Sequence, residues 1–68
     1  MAERLANRLK DRRTELGLTQ AELAERVGVT RKTVNTVENG VFTPSATLAI
    51  KLSQALELSV EQLFWIER

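Results

Sequence analysis

Apolar residues recur along the chain at helical spacing, and turn residues interrupt them at regular intervals. Leu5, Leu9 and Leu16 fall in register on one face, with Gly17 as a C-terminal stop, so the spacing predicts a first helix from about Glu3 to Leu16. Thr19-Gln20-Ala21-Glu22 is a capping-box sequence that opens a second helix, in which Leu23 and Val27 form an apolar stripe. Thr30 is a good N-cap for a third helix from about Arg31 to Glu38, whose inward residues are Val34 and Val37 and whose end is marked by Asn39-Gly40. Val41 to Pro44 reads as a loop, because Pro44 disfavours helical geometry at Thr43, and Ser45 is a natural cap for a fourth helix. Leu48, Leu52 and Ala55, with Ala49 and Leu56 beside them, form the apolar face of that helix through about Leu56. Ser59-Val60-Glu61-Gln62 is a further capping box, starting a brief fifth helix through about Phe64. The expected fold class is all-α: a compact bundle of about five helices, with a possible short C-terminal extended segment.

The second and third helices are separated only by Gly28, Val29 and the cap Thr30, so their apolar stripes must meet one core across a sharp corner. Gly28 can take positive φ there. Ala24 lies where two steeply crossing helices come closest, and a larger side chain would push them apart. Val29 fills the corner. Helices 2 and 3 therefore read as a helix-turn-helix.

The run from Gln20 to Asn39 resembles the lambda-repressor and Cro-like helix-turn-helix family, also called the Xre family. The resemblance starts near Leu9 and continues through Glu38-Asn39-Gly40 and Thr43-Pro44-Ser45 to Leu56, covering most of the chain. It implies a sequence-specific, double-stranded DNA-binding transcriptional regulator, a repressor on a pseudo-palindromic operator. One departure stands out: Val41-Phe42 occupies a place where the family often has a basic residue, which removes a phosphate contact.

Composition sets the limits around this reading. Sixty-eight residues suit a single domain, 1–68, and a chain this short buries only about 60% of its unfolded surface on folding. There is no cysteine for disulfides or thiolate metal sites. No apolar run approaches the ~20 residues of a membrane span, and Met1-Ala2-Glu3-Arg4 lacks the apolar core of a signal peptide, so the default location is the cytoplasm. With no His, Cys or Tyr, and Asp11 the only aspartate, neither an active site nor a transition-metal site is expected, and no cofactor is implied. The formal net charge of +1 excludes a grip on nucleic acid by bulk charge. Its distribution is slightly uneven: through Gly40 eight Lys and Arg face six Asp and Glu, and beyond it two face three.

Helix 3 is the element suited to DNA, because an α-helix with side chains is about as wide as the ~12 Å major groove. With Val34 and Val37 turned inward, Arg31, Lys32, Thr33, Asn35 and Thr36 remain to project outward. Arg and Lys suit guanine, Asn suits adenine, and Thr can meet a thymine methyl. The resemblance points to Arg31, Lys32, Asn35 and Thr36 as base contacts and to Thr33 as a backbone contact. Gln20 stands at a helix N-terminus, where free N–H groups favour a phosphate; the resemblance gives Thr30 and Asn39 similar backbone roles. Without the surrounding motif, such a polar face would read as simply solvated.

An ion pair and a dimer face are also expected. Arg13 lies four residues before Gly17 on the side of the leucines and Glu38 beside inward Val37; an analogous pair in phage-repressor relatives suggests a buried ion pair between them. Leu58, Val60, Leu63, Phe64, Trp65 and Ile66 are many large apolar groups for one small domain to bury, and three adjacent ones cannot all face one core. A homodimer through about 58–66 is therefore expected, as short stand-alone members similar to the cytolysin-operon repressor use their C-terminal region to dimerise. A rival reading is an antitoxin or bridging factor that uses the same fold mainly for protein–protein interaction.

Overall fold

The computed structural model describes residues 3–68. Its elements run β1 (Arg4–Asn7), α1 (Leu9–Glu15), α2 (Gln20–Val27), α3 (Arg31–Glu38), α4 (Ala46–Leu56), α5 (Val60–Leu63) and β2 (Phe64–Glu67). Five helices carry the fold, with a two-stranded antiparallel sheet beside them.

The sheet corrects the first expected helix. Residues from Glu3 were expected to be helical, yet Arg4–Asn7 is extended and pairs with β2 in the register Arg4 to Glu67, Leu5 to Ile66, Ala6 to Trp65 and Asn7 to Phe64. Tertiary pairing outweighs the helical spacing of Leu5 and Leu9, since Leu5 reaches the core from a strand as well as from a helix. Asn7 makes the switch. Its Oδ1 accepts from the Leu9 amide at 2.9 Å, and its Nδ2 donates to the Val37 carbonyl at 3.0 Å, so one side chain starts α1 and ties it to α3. At the other end, Phe64 leaves α5 with extended backbone, ending that helix one residue before the expected limit and opening β2.

The remaining elements obey their local chemistry. Thr19 and Glu22 form the full capping box of α2, and Ser59 with Gln62 that of α5. Ser45 accepts from the Leu48 amide at 3.1 Å to start α4. Gly28 adopts φ 75°, which an L side chain rarely tolerates, and the amide of Val29 donates to the Ala24 carbonyl at 3.0 Å, closing the corner between α2 and α3. α4 ends at Glu57 in the same left-handed region, at φ 59°, without the glycine that usually marks such a stop.

Every helix contributes to one core of Leu9, Leu18, Leu23, Ala24, Val27, Val34, Val37, Leu48, Leu52, Leu56, Leu63 and Phe64. Two of the six residues expected at a dimer face thus belong inside: Leu63 and Phe64 are buried within their own chain, and Leu58 and Val60 are partly buried against the same core. Pairing of β2 with β1 is the reason, because it folds Phe64 back over the helices. Trp65 and Ile66 remain 38% and 56% exposed.

Candidate nucleic-acid interface

α3 is held by its apolar stripe and displays its polar one. Val34 and Val37 are buried, Arg31 and Lys32 are exposed, and Thr33, Asn35 and Thr36 are partly exposed. Thr30 is extended and accepts from the Thr33 amide at 3.2 Å, while its hydroxyl lies 3.0 Å from that of Thr33. The two threonines thus form one pair of hydroxyls at the start of α3. Asn39 Nδ2 donates to Asn35 Oδ1 at 3.2 Å, so the expected base reader and the expected backbone contact are hydrogen-bonded along one edge of the helix. That bond occupies the Asn35 carbonyl oxygen and leaves its NH₂ free. Thr36 uses its hydroxyl proton on the Thr33 carbonyl at 2.9 Å and keeps its methyl group and lone pairs for other contacts.

Behind α3 lies an ion pair. Arg13 Nε donates to Glu38 Oε2 at 2.7 Å and Nη2 to Oε1 at 3.3 Å, with side chains only 12% and 3% exposed, and Arg13 Nη1 donates to the Leu18 carbonyl at 2.9 Å. The structure therefore brings Arg13 and Glu38 together between α1 and α3.

Sequence reasoning missed what Gln20 does. Its Nε2 donates to Glu38 Oε1 at 3.1 Å, and its Oε1 accepts from Arg31 Nη1 at 3.4 Å. The side chain read as a lone phosphate anchor is thus also a bridge across the corner of the two helices. One N–H of its amide stays uncommitted beside the N-terminus of α2. The missing signal was a long-range one: Gln20 and Glu38 are eighteen residues apart, and only the α2–α3 crossing makes them neighbours.

Val41 and Phe42 come directly after α3. Both amides donate to the Thr36 carbonyl, at 2.9 and 3.2 Å, fixing the turn, and the two side chains remain exposed. No positive group stands at this place.

Among the described residues, no three acidic side chains gather in a way that could hold a metal ion, and no helix is long and apolar enough to cross a membrane.

Residues 9–63 match the HTH_3 helix-turn-helix family model. Over 63 residues the chain is 41% identical to an uncharacterized HTH-type transcriptional regulator of Bacillus subtilis, YgzD, covering 93% of this chain and 96% of that one. A second uncharacterized HTH-type regulator, from Methanothermobacter thermautotrophicus, is 47% identical over 60 residues, covering 87% of each. Among solved structures, the P22 c2 repressor protein in complex with a synthetic operator superposes with a TM-score of 0.77 at 31% identity, covering 79% of this chain and 82% of that one.

Proposed function

The chain belongs to the HTH_3 helix-turn-helix family, and from that premise we propose that it is a repressor-type transcriptional regulator that inserts α3 into the major groove of a pseudo-palindromic operator as a homodimer. The observation that carries this reading is the division of α3 into a buried valine stripe and an outer face of Arg31, Lys32, Asn35 and Thr36.

Those four side chains read base edges. Arg31 and Lys32 donate to guanine acceptors, the free amide hydrogens of Asn35 meet an adenine or another acceptor, and the Thr36 methyl packs on thymine. Gln20, Thr30, Thr33 and Asn39 bracket the helix at both ends and hold the phosphate backbone, which sets register without reading sequence. The uncommitted N–H of Gln20 and the adjoining free amides of the first turn of α2 suit a phosphate oxygen. Gln20, Thr30, Thr33 and Asn39 are uncharged, so few cationic groups neutralise phosphates and the salt dependence of binding is modest for a DNA-binding protein.

The two-stranded sheet supports dimerisation. Trp65 and Ile66 stay exposed on β2, and the guanidinium of Arg8 lies 5.2 Å from the centroid of the Trp65 ring. The Trp65 and Ile66 side chains point to opposite faces of β2, so the surface that supports contact with a second copy is the Trp65 face, with Arg8 at its rim and Leu58 beside it. A two-fold arrangement sets the two recognition helices about 34 Å apart, one turn of DNA.

Selection of bound duplexes from a random pool tests the reading, since it reports DNA binding, base preference and half-site symmetry together. Enrichment of a two-fold symmetric site is the expected result; failure to enrich any sequence would favour a module that holds another protein.

A further inference from the structure

The orientation of the Gln20 amide is dictated from both sides. The Glu38 carboxylate only accepts and the Arg31 guanidinium only donates, so Gln20 must turn its NH₂ to the first, at 3.1 Å, and its carbonyl oxygen to the second, at 3.4 Å. Flipping the amide would replace both hydrogen bonds by repulsions. Glu38 is itself immobilised by two bonds from Arg13. A continuous run of hydrogen bonds therefore leads from α1 through the end of α3 to the first residue of α2, and from there to the first residue of α3.

Arg31 is the mobile end of that run. Its side chain is long, exposed and rich in rotamers, and it would otherwise lose that freedom only on meeting a base. One of its five N–H groups is engaged by Gln20, which leaves enough donors for a bidentate contact to guanine.

The geometry points to Glu38 as a specificity-positioning residue: buried away from any DNA, it acts through Gln20 to aim the Arg31 guanidinium before binding. The long Gln20–Arg31 bond makes this a bias in orientation, so its loss weakens discrimination at one base pair by part of what Arg31 supplies there. The inference rests on Arg31 being a base reader.

The test compares the wild type with Gln20→Met, Glu38→Gln and Arg31→Ala on the selected duplex and on versions with each base pair varied. Arg31→Ala identifies the base pair that Arg31 reads. Gln20→Met and Glu38→Gln are expected to relax discrimination at that same pair about three- to tenfold, part of the full value of one bidentate contact, and to add nothing to Arg31→Ala at that pair. On random duplex, Gln20→Met should bind more weakly because its phosphate contact is gone, and Glu38→Gln should lose no more than Gln20→Met does. Thermal melting verifies folding; if Glu38→Gln does not fold, Gln20→Met alone and combined with Arg31→Ala decides the matter, because Arg13 and Glu38 remain paired in it. Equal losses at all base pairs, or relaxation at a pair other than that of Arg31, would overturn the inference. A failure of the underlying reading looks different: Arg31→Ala itself would leave every base preference unchanged.

Discussion

Arg13 and Glu38 meet through two hydrogen bonds, at 2.7 and 3.3 Å, in a place where the carboxylate is 3% and the guanidinium side chain 12% exposed. The pair clamps the first helix to the end of the third. Taking either partner away leaves a charge buried without its counterion, so Arg13→Ala or Glu38→Ala should destabilise the fold by about 3–5 kcal/mol. Arg4 and Glu67 also form an ion pair, but with side chains 77% and 45% exposed, and its removal should cost under ~1 kcal/mol. Denaturant unfolding of the two sets of variants checks the contrast; similar losses would contradict it.

The corner between α2 and α3 depends on backbone conformation rather than on space. A Cβ at Gly28 would meet no atom within 4 Å, yet φ there is 75°. Gly28→Ala should therefore cost about 1–2 kcal/mol from left-handed strain alone. Gly28→Asn should cost less, as Asn tolerates this region better. A Gly28→Ala protein as stable as the wild type would show that the corner is not held in this conformation.

Much of this architecture was legible locally. Thr19, Thr30, Ser45 and Ser59 each announced a helix start through a side chain that accepts from the amide three residues on, and Gly28 announced the corner. The β1 strand was not legible, because Leu5 lies four residues before Leu9 and suits a helix equally well. Its partner lies about sixty residues away, and only the folded chain brings Leu5 opposite Ile66. The same pairing explains why Phe64 is in the core although its neighbours Trp65 and Ile66 are exposed. At the proposed interface, the polar face of α3 could be read from spacing, whereas the bridging role of Gln20 required the crossing of two helices.

The capping box of α2 contributes a pH dependence. Glu22 accepts from the Thr19 amide, and that bond, together with the Thr19 side chain and the nearby Arg26 charge, holds its carboxyl below the ordinary glutamate value. With a folded pKa lowered relative to the unfolded chain, the contribution is fully present above the ordinary glutamate range. It is lost as pH falls through the lowered folded value. Glu22 is exposed, so the effect is small and weakens with salt. The stability difference between wild type and Glu22→Gln, tracked by thermal melting, should be larger at neutral pH than in acid; a difference that grows on acidification has the wrong sign.

The two adjacent aromatic residues should behave differently on substitution. Trp65 is 38% exposed and Phe64 6%. Trp65→Glu should leave the fold intact, shift a dimer toward monomer in sedimentation at micromolar concentration, and weaken operator binding. Phe64→Glu should instead unfold the chain, because it buries a carboxylate in the core. A folded Phe64→Glu protein, or a Trp65→Glu protein that is unchanged in association, would contradict these assignments.

The central claim is that the outer face of α3 reads bases. Its most direct measurement is fluorescence anisotropy of the wild type, Arg31→Ala and Asn35→Ala on the selected duplex and on a random one, over a range of salt. Each variant should lose about 1–3 kcal/mol on the selected duplex and much less on the random duplex, with preference relaxed at particular base pairs and wild-type affinity falling as salt rises. Equal losses on both duplexes, or wild-type binding that is indifferent to sequence, would contradict the claim.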